Sequence, residues 1–450
     1  MEILIELLPL FMLIGLMLFV ILGYPVAFSI AAIALLFALI GEALGIRTNF
    51  LQGAMGAFTL RIPGIIENFL LVAVPLFVYM GVMLERSGLA DDLLETLGIV
   101  LRKVPGSLAI SVIALGAILA ASTGIIGATV VTMTVLALPV MLQHGYSKEL
   151  STGAICAAGT LGQIIPPSIV LLLLASISNL QEVNVGSLFF AAAIPGVMLA
   201  VMYMIYTLIY AWRNPDKAPA MIIKETDLSA GQLFLRMIKA LFPPLLLMVG
   251  VLGSIFFGIA SPTEAAGVGA FLATLLAFVK GKLNLGVLKS VMASTTRFTS
   301  MVFIILIGAQ AFGAVFRQLR GDQMIRTFFQ NLDVDVWVIL TIVMLVLFVL
   351  GFFLDFIEIT FIHVPILLPI MHELGVDPLW FMILVAINLQ TSFLTPPFGF
   401  ALFYLKGAAP PEVELQHVYR GIWPFVLIQL IGLALVILWP QLALWLPEHL

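Results

Sequence analysis

The chain has 450 residues, 62% of them hydrophobic and only 10% charged, with a formal net charge of −4. So apolar a composition excludes a soluble globular domain, and the long unbroken apolar runs exclude a membrane β-barrel, whose strands alternate in polarity. What remains is an all-α polytopic membrane protein, because only helices satisfy their own backbone in lipid.

About 20 apolar residues cross a bilayer. On that scale spanning helices are expected at 4–22, 25–45, 66–85, 148–180, 186–212, 232–257, 262–280, 297–317, 378–407 and 418–446. The first is read as a helix that stays, since Glu2 replaces the basic start of a secretory signal. Two stretches, 107–144 and 335–373, are too long for one span and carry "ASTGIIGAT" (121–129) and "GFFLDFIEIT" (351–360) near their middles. Each reads as two spans or as one re-entrant hairpin. Amphipathic pieces at 89–104 and 321–332 suit helices lying on the membrane surface. The single cysteine, Cys156, reads as a small packing residue.

If both long stretches are hairpins, ten spans remain and the termini share one side. Arg47, Arg61, Arg317, Arg320 and Arg326 then fall on the terminal side, leaving fifteen of the twenty Lys and Arg on the other. The bias places that richer side in the cytoplasm and both termini outside.

The chain also repeats itself. Leu138, Pro139, Met141, Gly145, Pro166 and Pro167 recur 230 positions on as Leu368, Pro369, Met371, Gly375, Pro396 and Pro397. "ILGYPVAF" near Pro25 loosely matches "GIASPTEAA" near Pro262. Six matches in one register point to duplication. The expected halves are 1–215 and 232–450, joined by a linker at 216–231, each with five spans and one hairpin. Five is odd, so the halves are expected to be inverted repeats, a signature of secondary transporters.

A Pro-Pro pair breaks a helix, and bare backbone at membrane depth is tolerated only where it lines a site or cavity. Freed carbonyls suit Na⁺ and half-helix N-termini suit a carboxylate. The candidate ion and substrate residues therefore cluster at two tips and two breaks. The first tip offers Ser122, Thr123, Gly124, Gly127 and Thr129, although these types also serve close helix packing. The first break offers Thr160, Gln163, Pro166, Pro167 and Ser168. The second tip offers Asp355, Glu358 and Thr360, where a carboxylate within the bilayer would be costly without a function. Around the second break stand Asn388, Gln390, Thr391, Ser392, Thr395, Pro396 and Pro397. Glu264 reads as a helix cap, and His144 and His372 as interfacial. The sequence lacks a His-Glu-x-x-His zinc motif, a phosphate-binding loop and a basic stripe for nucleic acid. No catalytic role and no cofactor are expected, and any transport would draw on an ion gradient.

With these segments in view the whole chain resembles the large membrane (M) subunit of tripartite ATP-independent periplasmic (TRAP) transporters, the DctM-like family. The resemblance rests on "VPLFVYMGVMLERSGLADDL" (74–93), "ASTGIIGATVVTM" (121–133), "GTLGQIIPPSIVL" (159–171), "GIASPTEAAGVGA" (258–270) and "LQTSFLTPPFGFALFYLKG" (389–407). It implies an elevator-type ion-transporter fold and Na⁺-coupled import of organic acids in the bacterial inner membrane. It also implies two partners, a small four-span subunit (Q type) and a periplasmic substrate-binding protein (P type). By motif position it implies Na⁺ ligands among Ser122, Gly124, Gly127 and Gln163, and among Asp355, Thr360, Thr391 and Thr395. The tip "STGIIGAT" is less serine-rich than in many members, which leaves the substrate open. A stand-alone Na⁺/carboxylate carrier remains the alternative.

Overall fold

The computed structural model describes residues 5–46, 49–123, 126–178, 180, 183–220, 230–332 and 334–449, with the side chains of 120–123 and 230 excepted. Among these residues the chain is helical, with nine helices long and apolar enough to cross a membrane. The first half contains α1 (Leu8–Ile21), α2 (Val26–Ala43), α3 (Phe50–Ile66), α4 (Phe69–Arg86), α5 (Leu89–Val100), α6 (Ser107–Thr123), α7 (Ile126–Gln143), α8 (Lys148–Thr160), α9 (Ile169–Ile177) and α10 (Val185–Arg213). The second contains α11 (Ala230–Phe256), α12 (Pro262–Val279), α13 (Leu285–Gln318), α14 (Gly321–Asn331), α15 (Val336–Leu350), α16 (Phe356–Glu373), α17 (Pro378–Leu394), α18 (Phe400–Ala408), α19 (Leu415–Leu438) and α20 (Gln441–His449). Most of the predicted linker, 221–229, lies outside the described residues.

The halves match over most of their elements, although the continuous α13 stands against the pair α3 and α4, and among the described residues α20 has no counterpart in the first half. α6–α7 corresponds to α15–α16, α8 to α17, α9 to α18 and α10 to α19. The surface helices correspond as well. Gly88 and Arg320, both left-handed (φ 72° and 63°), open α5 and α14 at equivalent places. Each long stretch folds as two helices. α15, at 15 residues, is about 22 Å long, short of the roughly 30 Å hydrocarbon core, as a re-entrant arm should be.

Contacts along α19 give the relative direction of the halves. Gly421, near its start, packs on Glu149 and Gly153 at the start of α8. Val436, near its end, accepts a 2.9 Å hydrogen bond from the indole of Trp380 at the start of α17. The starts of α8 and α17 therefore lie at opposite ends of α19, and the two helices converge from opposite sides. That is the inverted arrangement.

One helix falls outside the expected spans, and two expected spans need correction. Residues 50–66 form α3, which Gln52, Thr59, Arg61 and three glycines hide from an apolar-run criterion. The span expected at 297–317 begins at Leu285, where Asn284 caps it by accepting from Val287 N at 2.9 Å. Its polar first turns, with Lys289 and Arg297, lie on the same continuous helix. The span expected at 418–446 is two helices, because Pro440 cannot continue the backbone ladder past Leu438.

Burial separates two regions. Every residue of α17, α8 from Leu150 on, and α9 through Ala175 are buried. By contrast α2, α11 and α12 expose large apolar side chains such as Phe28, Phe242 and Phe271, as a lipid- or subunit-facing scaffold would. α12 starts with the capping box expected of Glu264: its carboxylate accepts from Ser261 N at 2.7 Å while Ser261 Oγ accepts from Glu264 N. Ser261→Ala is expected to lower stability by about 1 kcal/mol, read from thermal unfolding of the detergent-purified chain. An unchanged midpoint would show that packing alone fixes this helix start.

Candidate functional site

Both proline pairs interrupt buried helices in the same manner. α8 tightens into one 3₁₀ turn, Leu161–Gln163, before Pro166–Pro167, and the chain resumes as α9 after Ser168. α17 ends at Leu394 before Pro396–Pro397, and the chain resumes as α18 after Gly399. Both Pro-Pro bonds are cis. Gly399 sits where a Cβ would meet the Phe393 carbonyl at 2.7 Å, so this turn accepts no side chain.

The breaks meet. Gln390 Nε2 lies 3.5 Å from Thr160 Oγ1, and these residues are equivalent under the 230-residue repeat. The pseudo-twofold therefore passes between them. Cys156, fully buried, rests its Sγ 3.6 Å from the Ala401 carbonyl beyond the second break, as a packing residue.

Each hairpin leans on the break of its own half and on the half-helix of the other. Gly116 and Gly159 let α6 and α7 approach α8 until a Cβ would strike Ala158 or Val130, at 2.5 and 2.3 Å. Gly127, just past the first tip, packs under the Tyr404 ring of α18. In the second hairpin, Gly351 lies directly against Ser392, and the 356–363 segment packs on α9. Phe356 meets Phe393 edge-on and Phe400 packs on it at a tilt, closing the second tip over its break.

Within this frame the predicted residues take different positions. Asp355 caps α16 by accepting from Phe356 N at 2.7 Å. Asn388 is committed to hairpin packing, donating to the Met344 carbonyl at 2.7 Å. Thr391, Ser392 and Thr395 donate to the carbonyls of Ile387, Leu389 and Thr391, leaving their oxygen lone pairs as acceptors. Ser168 donates to the Gln163 carbonyl at 2.6 Å, bracing the first break. Thr129 is buried on α7. Gly124 and the side chains of Ser122 and Thr123 lie outside the described residues.

Among the described residues several buried polar atoms here have no protein partner: both amide atoms of Gln163, Gln390 Oε1, Glu358 Oε2, Thr360 Oγ1 and His363 Nδ1. An orphaned buried polar atom costs about 1–3 kcal/mol, so a concentration of them is a place built for something else. Most are oxygens, the donor type a hard cation takes.

Sequence reasoning missed two features. Ile359–His363 is a π-helical turn, a feature frequent at functional sites, and it carries Thr360 and His363. Its trace in the sequence is the polar series Asp355, Glu358, Thr360, His363 inside an apolar run. The second feature is a cavity of about 480 Å³ between the arm helices α3, α4 and α13 and the second hairpin, lined by Arg61, Asn68, Gln310, Arg317, Phe361 and Ile362 among others. In the sequence alone those arginines read only as topology charges.

A duplicated, inverted helical bundle with paired hairpins and broken helices around buried, unpartnered polar atoms is the architecture of a membrane carrier. The chain belongs to the family of the DctM component of tripartite ATP-independent periplasmic transporters, whose profile matches residues 13–442. It is 33% identical over 388 residues to the C4-dicarboxylate TRAP transporter large permease protein DctM of Pseudomonas aeruginosa, covering 85% of this chain and 87% of that protein. It is 30% identical over 429 residues to the sialic acid TRAP transporter large permease protein SiaM of Vibrio cholerae, covering 95% of both. The isethionate TRAP transporter permease protein DctMQ of Oleidesulfovibrio alaskensis is 30% identical over 88% of this chain and 60% of that longer protein. Among solved structures, the YdaH transporter of Alcanivorax borkumensis shares the fold, with a TM-score of 0.66 at 15% identity over 97% of this chain and 99% of that one. The chain is thus a multi-pass membrane permease and not an enzyme.

Proposed function

We propose that this chain is the transporting subunit of a Na⁺-coupled importer of organic acids in a bacterial inner membrane, with both termini periplasmic. A periplasmic binding protein delivers the substrate, and a small four-span subunit packs on the first two helices of each half. The two halves are 1–215 and 232–450, joined by the cytoplasmic linker 216–231. The observation that carries the reading is the meeting of the two breaks at Thr160 and Gln390, beside buried atoms without partners on Gln163, Glu358 and Thr360. Na⁺ is assigned to the oxygens around each break and its tip. The substrate class follows relatives named for C4-dicarboxylates, sialic acid and isethionate, each bearing an acidic oxyanion. Alternating access is assigned to an elevator movement of the buried hairpin-and-break region past the exposed scaffold helices.

The test is uptake of labelled organic acids into proteoliposomes holding this chain and its small subunit. Import that requires both an inward Na⁺ gradient and the binding protein is the expected result. Import indifferent to Na⁺ overturns the coupling. Na⁺-driven import without a binding protein points instead to a stand-alone carrier.

A further inference from the structure

The cavity between the arm helices and the second hairpin is chemically one-sided. On α3 and the following turn, Arg61, Gly64, Ile65 and Asn68 recur at helical spacing along one face. On α13, Gln310, Gly313 and Arg317 do the same. Arg61 Nη1 donates to Gln310 Oε1 at 3.3 Å, tying the two faces together. The Arg317 guanidinium folds over Gly313, where a Cβ would stand only 3.2 Å from Nη2. Among the described residues the Arg317 side chain has no hydrogen-bond or ion-pair partner. Among the described residues no Asp or Glu lines the cavity. Outside the lining, Glu373 is paired with Arg326 at 2.8 Å, and Asp322, on α14, interacts with Arg326 and more weakly with Arg61.

The repeat sharpens the contrast. The offset of 232 that pairs Gly88 with Arg320 also pairs Glu85 with Arg317. Glu85 is satisfied by the first hairpin, whose Thr132 hydroxyl donates to its carboxylate. The hairpin offset of 230 carries Thr132 to Ile362, which lines the cavity opposite and offers Arg317 nothing polar. One half closes its arm on its hairpin with a protein hydrogen bond. The other holds a guanidinium across open space.

We propose that Arg61 and Arg317, supported by Gln310 and Asn68, form a site for the oxyanion of a small organic acid between the α3/α13 arms and the second hairpin. The site lies apart from the two breaks and would receive the substrate before the hairpin region takes it. A cavity of about 480 Å³ is within the roughly 300–1,000 Å³ range of small-molecule sites, and paired guanidiniums suit planar or tetrahedral oxyanions. This inference rests on the import reading above and names the chemistry of an entry step within it.

The test is binding to the full chain with its small subunit in phosphatidylcholine nanodiscs, using succinate and isethionate as probes and neutral succinamide as the control. At least one anion is expected to bind tenfold or more tighter than succinamide. Arg61→Gln and Arg317→Gln should each weaken that binding about tenfold or more, Arg317→Lys less, and Arg420→Gln, near the start of α19 and outside the cavity lining, not at all. Each variant should unfold at the parent midpoint without probe. Three results overturn the site: neither anion outbinding succinamide, equal binding by the glutamine variants, or loss of binding in phosphatidylglycerol nanodiscs, which would assign the guanidiniums to lipid headgroups. Na⁺-driven uptake with unchanged KM in both glutamine variants also overturns it and leaves the import reading standing. Intact anion binding with Na⁺-independent uptake does the reverse.

Discussion

Gln163→Leu is expected to make the protein more stable and nearly inactive. Gln163 is fully buried, and neither its amide oxygen nor its amide nitrogen has a partner. Leucine of similar size removes both orphaned atoms, so thermal stability should rise by about 1 kcal/mol or more. If the amide is an ion ligand, Na⁺-driven uptake should fall by about 100-fold, the equivalent of about 2.7 kcal/mol of lost site affinity. Thermal unfolding and proteoliposome uptake on the same preparation decide it. A variant that loses stability would mean the amide is satisfied within the fold. A variant that transports normally would remove Gln163 from the ion site.

Gly421→Val should damage the fold itself. α8 and α19 cross at Gly153 and Gly421 so closely that a Cβ on Gly421 would stand 2.0 Å from the Glu149 carbonyl, and one on Gly153 would stand 2.2 Å from the Gly421 carbonyl. The obstacle is backbone, which cannot swing aside as a side chain end can. Helix association in lipid depends on such close approach, because burial from lipid supplies no hydrophobic drive. The expected loss is about 3 kcal/mol, at the upper end for overpacking, seen as a lowered unfolding midpoint in detergent. Gly253→Ala on α11 is the control: a Cβ there meets nothing within 4 Å, and stability should hold or rise by about 0.5–1 kcal/mol. Equal effects from the two changes would show that the α8–α19 crossing is looser than its geometry.

Much of the architecture is legible along the chain because its causes are local. Apolar length marks the spans, and the Pro-Pro pairs mark the breaks at 166–167 and 396–397. The register of 230 marks the duplication, and Ser261 with Glu264 marks a helix start. The polar run 388–395 reads as one site, yet its members divide: Asn388 anchors α15, while Gln390 reaches Thr160 of the other half. Nothing local separates two amides two positions apart on one helix. α3 escapes notice for the opposite reason, since its arginine, its proline and its glycines belong to a helix with a face turned to a cavity.

By itself, then, the sequence determined that this protein is a duplicated helical membrane protein with paired irregular points, because hydrophobic length and proline chemistry act within a few turns of the chain and a repeat is read along it without any contact. Only the tertiary structure decided which polar groups remain unpaired, that Thr160 and Gln390 meet on the pseudo-twofold, and that Arg61 and Arg317, 256 residues apart, face one cavity. Whether a buried donor finds a partner depends on the helix packed against it, and that neighbour comes from the other end of the chain.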